Sequence, residues 1–273
     1  MTLNIKDKPK DGFERVVYAE EDKFNFYSVI AIHNTKRGPA LGGCRYFNYQ
    51  DFNKQEEDVL KLAEAMTYKN SLAELPFGGG KATIHSKINK KDAYSLFGEV
   101  LNKLNGTYIT AGDMGTVDED LRGFREYSDH VCNPIGSDSG LGTALGVYYS
   151  MLGCVEFKFG QDSLVNKNIF IKGYGKTGSR IASLCKKDGA NIEISDLEHK
   201  KDLIERDGYK FCSKLQDTSF EKIDIYSPCA GGGDLNKEFL NFANNKISMI
   251  TGSANNQLDD IDIEKELYNK GIL

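Results

Sequence analysis

NIFIKGYGKTG, residues 168–178, is the stretch whose reading decides the fold. Its first part, NIFIKG (168–173), is a short apolar β-run, and Gly173-Tyr174-Gly175-Lys176-Thr177-Gly178 supplies a G-x-G-x-x-G that opens a helix read over 176–188. A second β-run, NIEISD (191–196), follows, and its last residue, Asp196, lies 18 residues past the final glycine. That order of elements is the dinucleotide-binding fingerprint. Gly173 permits the tight turn, Gly175 lets backbone N–H groups at Tyr174, Lys176 and Thr177 approach a pyrophosphate, and Gly178 lets helix and strand pack closely. The helix N-terminus adds a dipole that favours the anion. Asp196 would accept hydrogen bonds from ribose hydroxyls and repel a 2′-phosphate, which favours NAD as cofactor; Lys200 and Lys201 just beyond it keep NADP open.

Outward from this motif the chain alternates short apolar runs with helical stretches. After a helix from about residue 198 come IDIYS (223–227), a helical stretch at 236–244 and ISMITG (247–252). Such alternation predicts βαβ units and a parallel, doubly wound sheet of Rossmann type. The first half has its own α/β pattern. FNFYSVIAI (24–32) reads as a strand, GPALGGCR (38–45) as a glycine loop, 54–70 as a helix and FGGGK (77–81) as a second glycine loop. Ala82 to His85 reads as a short strand, 91–104 as a helix and TYITA (107–111) as a strand. The expected organisation is a substrate and catalytic domain over 1–140 and a dinucleotide-binding domain over 141–273, joined near GSDSGLG (136–142).

Composition narrows the function. Hydrophobic residues make up 40% and charged residues 27% of 273, an ordinary globular mix. The formal net charge of −5 supplies no basic surplus for nucleic acid or anionic lipid. The longest apolar runs fall short of the ~20 residues of a membrane span, and the start, MTLNIKDKPKDGFERV, is too polar for a signal-peptide core. Six cysteines without a C-x-x-C pair, and four dispersed histidines, suggest free thiols, no metal site and a cytoplasmic location.

The first half offers the groups that substrate chemistry needs. Lys69 ends MTYKN (66–70), and Lys81 follows three glycines that would let a ligand lie close to its backbone. Lys81 reads either as a solvated lysine or as a general base, its ammonium pKa lowered by Lys69 and by desolvation. Asp113, in TAGDMGT, reads either as a turn aspartate or as a functional carboxylate.

GPALGGCR (38–45), MTYKN (66–70), FGGGKA (77–82), YITAGDMGT (108–116), SPCA (227–230) and GSANNQL (252–258) occur in that order. Together they resemble the motifs of the Glu/Leu/Phe/Val amino-acid dehydrogenases, leucine dehydrogenase above all, from about residue 13 onward. The resemblance implies NAD-dependent oxidative deamination of an L-amino acid, leucine or another branched-chain substrate, to the 2-oxo acid and ammonia by a homo-oligomer. It implies that Lys69 binds the substrate carboxylate, that Lys81 activates the water that attacks the imine, and that Asp113 handles the proton on the substrate nitrogen. Gly42 and Gly43 would line the substrate cleft, with Leu41 and Ala111 against an aliphatic side chain and Gly112 leaving room for an aromatic one. Thr143, Asn255 and Asn256 would face the nicotinamide, and Ala230 the adenosine side.

Two departures from that pattern stand out. The lead-in to Thr143, Ser139-Gly140-Leu141-Gly142, lacks the proline the family usually carries there. The chain ends at Gly271-Ile272-Leu273, where family members continue through this strand into a helical tail, so the second domain is expected to be C-terminally truncated. A three-residue stub is shorter than a typical strand and is expected to leave unpaired backbone at the sheet edge. The alternative expectation is therefore a catalytically impaired remnant that retains dinucleotide binding.

Overall fold

The computed structural model describes residues 3–132 and 139–273, and the chain divides between Ile135 and Gly136 into two units. Residues 136–138 of the expected junction lie outside the described residues.

In the first unit, β1 (Asn4–Asp7), β2 (Arg15–Glu21), β3 (Phe26–Asn34), β4 (Ala40–Phe47), β5 (Gly78–His85) and β6 (Tyr108–Gly112) form one sheet in the order β1-β2-β3-β5-β4-β6. β1, β2, β3 and β5 run antiparallel to their neighbours, and β5, β4 and β6 run parallel. Side chains alternate between faces with period two. Val29 and Ala31 of β3 pack with Val59 and Ala63 of α1 (Phe52–Leu72), which Asp51 caps by accepting the Lys54 N–H at 2.9 Å. Ile30 and Ile32 pack on the opposite face, with Phe97 and Leu101 of α2 (Lys90–Leu104) and Leu121 and Phe124 of α3 (Asp118–Arg125). Because both faces are covered, residues Val29 to Ile32 of β3 read as an unbroken apolar run.

The two glycine loops expected at 38–45 and 77–81 are strands for most of their length. Their glycines answer a steric demand from the chain itself. A Cβ on Gly42 would lie 1.7 Å from the Gly80 carbonyl oxygen, one on Gly78 1.9 Å from that of Asn34, and one on Gly79 2.1 Å from the Thr67 nitrogen of α1. The space expected for a ligand beside Gly78–Gly80 is taken by neighbouring backbone and, at Gly80, by the Tyr108 and Ala40 side chains. Glycine here brings α1 and three strands close enough to share a site.

The second unit holds β7 (Asn168–Lys172), β8 (Asn191–Ser195), β9 (Lys210–Cys212), β10 (Ile223–Pro228) and β11 (Ile247–Ile250), all parallel, in the order β11-β10-β7-β8-β9. This third-second-first-fourth-fifth order is the doubly wound arrangement, with its topological switch between β7 and β10. Ile169, Ile171, Ile225 and Met249 pack with Met151 and Val155 of α4 (Ser139–Phe159) and Ile181 of α5 (Gly178–Lys187). Phe170 and Tyr226 face the other way, with Leu240 of α7 (Lys237–Ala243) and Leu267 of α8 (Asp262–Asn269). The short α6 (Lys201–Arg206) connects β8 to β9. A Rossmann-type unit following an α/β unit is the architecture expected from sequence. The unpaired edge is not found: Leu273 donates its N–H to the Ser248 carbonyl at 3.2 Å and accepts from the Ile250 N–H at 2.7 Å. A single residue suffices to bond both its groups to β11.

The glycine roles are separable by stability. A Cβ on Gly178 would lie 1.9 Å from the Gly173 carbonyl oxygen, whereas Gly175 has no neighbour within 4 Å of that position among the described residues. Gly178→Ala is expected to cost roughly 1–3 kcal/mol through forced separation of α5 from β7, and Gly175→Ala less than about 1 kcal/mol. Urea unfolding of the two variants checks this; equal midpoints would contradict the packing argument.

Candidate active site

Period two and strand register place several candidate residues on one sheet face. Lys81 of β5 stands beside Thr83, whose hydroxyl accepts from Gln55 Nε2 of α1 at 3.1 Å, so this parity of β5 faces α1. Gly43 of β4 pairs with Ala111 of β6, and Leu41 with Ile109. Leu41, Gly43, Arg45, Ala111 and Asp113 therefore share the α1 side with Lys81. Gly42 has the opposite parity, that of the core residues Ala40 and Cys44, so it borders the Lys81 face only through its backbone. Gly112 also differs from expectation. A Cβ there would meet Leu121 Cδ1 of α3 at 3.6 Å, so its absent side chain widens nothing beside Lys81.

Lys81 is 3% exposed, and its Nζ lies 3.1 Å from Asp113 Oδ1. The other carboxylate oxygen, Oδ2, accepts from Arg45 Nε at 2.9 Å. Arg45 Nη1 donates to both oxygens of Asp58 in α1, at 3.0 and 2.8 Å, and Asp58 Oδ2 also accepts from the Tyr49 hydroxyl at 2.7 Å. A glycine makes room for this cluster, since a Cβ on Gly43 would come within 2.8 Å of Asp113 Cβ. Asp113 is held just past β6 by a tight turn. Its N–H donates to Thr116 Oγ1 at 2.8 Å, and that hydroxyl donates to the Cys44 carbonyl at 2.8 Å. Gly115 completes the turn at φ 77°, where a side chain would strike the Tyr46 carbonyl.

Burial pushes the Lys81 ammonium pKa down; Asp113 opposes that effect, while Arg45 and Lys69 add to it. Burial alone would raise the Asp113 carboxyl, but the charges of Lys81 and Arg45 hold it below its usual value. The outcome is an amine prepared to give up its proton beside a carboxylate that stays ionised, which is the arrangement a general base requires.

Lys69 is exposed in the last turn of α1, with no ion-pair partner among the described residues. The end of that helix is fixed by Asn70, whose Nδ2 donates to the carbonyls of Gly78 at 2.6 Å and Leu41 at 3.3 Å. Lys69 is thus an uncompensated cation next to the buried pair, available to a substrate carboxylate.

In the second unit, Gly173 turns at φ 108°, with the position of a Cβ occupied by the Cys229–Ala230 backbone. The Tyr174 N–H donates to Asp196 Oδ2 at 2.5 Å, and the Leu197 N–H donates to Asp196 Oδ1 at 2.6 Å. Asp196 therefore sits against the glycine turn at the carboxyl end of β8. The Tyr174 side chain points away, its hydroxyl donating to Asp207 at 2.8 Å, so only its backbone serves the turn. Lys176 is exposed and Thr177 half-buried at the start of α5. Ala230 is exposed beside the turn at the end of β10. Asn255 and Asn256 follow β11, where the Gly233 N–H donates to the Asn256 carbonyl at 2.8 Å. Thr143 lies exposed near the start of α4, where a Cβ on Gly140 would crowd the Lys176 side chain.

These residues fit a dinucleotide. Among the described residues the space over Gly175 is open and admits a phosphate to the backbone, the start of α5 faces it, and Asp196 keeps lone pairs for hydroxyl donors.

Sequence reasoning missed Arg45, Asp58, Tyr49 and Asn70. Arg45 closes the quoted GPALGGCR, and Asp58 lies 11 residues, about three helical turns, before Lys69 on one face of α1. That spacing was the available signal.

Comparisons with known proteins place the chain in a family. The family described as Glu/Leu/Phe/Val dehydrogenase, dimerisation domain, matches residues 14–129. Phenylalanine dehydrogenase of Lysinibacillus sphaericus is 36% identical over 275 residues, covering 95% of this chain and 71% of that protein. Leucine dehydrogenase of Bacillus subtilis (strain 168) is 34% identical, covering 98% and 76% respectively. The crystal structure of L-tryptophan dehydrogenase from Nostoc punctiforme has a TM-score of 0.71 at 29% identity, covering 96% of this chain and 77% of that one. With such identity maintained over nearly its whole length, the chain belongs to the Glu/Leu/Phe/Val dehydrogenase family.

Proposed function

We propose that this protein is an NAD-dependent dehydrogenase that oxidatively deaminates an aliphatic L-amino acid, leucine or another branched-chain substrate, to the 2-oxo acid and ammonia. The observation that carries the reading is the buried Lys81–Asp113 pair beside the unpaired cation of Lys69. In this proposal Lys69 holds the substrate carboxylate and thereby fixes Cα. Asp113 exchanges a proton with the substrate nitrogen. Lys81, neutral at Nζ, takes a proton from the water that adds to the imine carbon, and ammonia then leaves. When bound, the nicotinamide supplies a hydride acceptor for Cα. Leu41 and Ala111, half-buried on the same face, suit an aliphatic side chain. In this reading the turn Gly173-Tyr174-Gly175-Lys176-Thr177-Gly178 holds the pyrophosphate, with the Gly173 and Tyr174 N–H groups shaping it through their bonds to Ser195 and Asp196. Asp196 binds the ribose, Ala230 borders the adenosine, and Thr143, Asn255 and Asn256 serve the nicotinamide end. The dimerisation domain named in the family match supports a homo-oligomer.

The test follows NADH absorbance with a panel of L-amino acids. Turnover is expected with leucine, valine and isoleucine. NADH binding without turnover on any of them would leave a dinucleotide-binding protein and defeat the catalytic reading. Lys81→Ala should lower kcat by roughly 10²–10⁴-fold, the usual contribution of a general base, with NADH affinity nearly unchanged. Lys69→Ala should chiefly raise KM, by about tenfold or more, for one lost charge-assisted contact. Near-normal turnover in Lys81→Ala would remove it from the mechanism.

Cofactor choice is tested separately, by titrating wild type and Asp196→Ala with NADH and NADPH. Wild type is expected to prefer NADH, and the variant to lose most of that preference as the charge that repels a 2′-phosphate disappears. A wild-type preference for NADPH, or unchanged discrimination in the variant, would overturn the assignment.

A further inference from the structure

Neither Lys81 nor Asp113 stands alone. From the Tyr49 hydroxyl, contacts run through Asp58, Arg45 and Asp113 to Lys81, at 2.7, 2.8, 2.9 and 3.1 Å in turn. The five residues come from five places: the segment after β4, α1, β4, the turn after β6, and β5. Two features of this chain require an arginine at position 45. First, Nε reaches one carboxylate while Nη1 reaches the other, a fork that a single ammonium does not reproduce. Second, Arg45 takes Oδ2 of Asp113 and so leaves Oδ1 directed at Lys81. The Arg45 side chain is 12% exposed and that of Asp113 16%, so water screens these charges little.

We propose that Arg45, clamped from behind by Asp58 and Tyr49, is a positioning residue that aims Asp113 Oδ1 at Lys81 and opposes protonation of Lys81. This rests on the role of Lys81 as base proposed above. The groups facing the pair are few. Arg45 and Cys44 belong to β4, Lys69 to α1 and Tyr108 to β6, with Asp58 and Tyr49 behind Arg45 and Asp120 of α3 beyond Cys44. Burial keeps the Cys44 thiol and the Tyr108 hydroxyl neutral by pushing both up. Among the described residues Arg45 and Lys69 are thus cations that work against a proton on Lys81, and of the two Arg45 is also bonded to Asp113.

The test measures the ionisation of Lys81 directly. Protein labelled with 13Cε-lysine is titrated by NMR, the Lys81 resonance being assigned by its loss in Lys81→Arg, and the pH profile of kcat/KM is recorded alongside. Arg45→Gln should raise the Lys81 midpoint by roughly half a unit or more and move the acid limb of kcat/KM upward with it. Arg45→Lys keeps the charge but not the fork. It should hold the midpoint near that of wild type while lowering kcat by roughly tenfold or more as Asp113 loses its orientation. If Arg45→Gln does not fold, Arg45→Gln/Asp58→Asn, which removes the cation and its partner anion together, should shift the midpoint in the same direction. A purely structural role would reduce stability or kcat and leave the midpoint where it was, and that result would overturn the proposal. So would an Arg45→Lys enzyme as fast as wild type. If wild type turns over no amino acid, the functional reading fails and the titration alone decides the role of Arg45. If the midpoint moves but the acid limb does not follow, Lys81 is not the base, while the electrostatic part of the proposal stands.

Discussion

A lysine ammonium buried to 3% exposure is costly unless it is paired or gives up its proton. Much of the first unit is arranged around that constraint. Asp113 supplies a counter-charge, Arg45 keeps that counter-charge ionised, and Asp58 compensates Arg45. The result alternates sign along its length, so no charge is left alone in the interior, yet Lys81 remains the member most ready to lose its proton. Buried ion pairs contribute little to stability on balance. In the proposed function they serve the chemistry of Lys81 rather than stability.

The glycines follow from the same constraint. To bring Lys81, Asp113 and Lys69 together, β4, β5, β6 and the end of α1 must approach more closely than side chains allow. Gly42, Gly43, Gly78 and Gly79 each stand where a Cβ would meet neighbouring backbone. In the second unit the same device serves a different end: Gly173 and Gly178 close the turn on itself, and among the described residues Gly175 of that turn is left open.

The second unit was the more legible from sequence. Its strands are short and apolar, its helices separate them, and its glycine motif has a fixed relation to Asp196, so local pattern and global fold agree. In the first unit the glycine-rich stretches 38–45 and 77–81 suggested loops, because isolated glycines weaken a strand and nothing local shows which backbone will press against them. Lys69, Lys81 and Asp113 were legible as motif residues. Arg45 and Asp58 were not, because their pairing joins β4 to α1 and is expressed only once Asp113 arrives from 68 residues away. Period two also corrects motif reading at Gly42 and Gly112, whose neighbours in sequence face Lys81 while they do not.

In the proposed mechanism the group controlling activity on the acid side is the Lys81 amine, with Asp113 ionised in the free enzyme over that pH range. Amines release heat on protonation and carboxylates almost none, so the pKa of the acid limb of kcat/KM should fall markedly as wild-type protein is warmed. The decisive measurement is that limb recorded at several temperatures. A pKa below the ordinary lysine range that falls steadily with temperature is the predicted result. A pKa that stays constant on warming would identify a carboxylate as the titrating group and contradict the account.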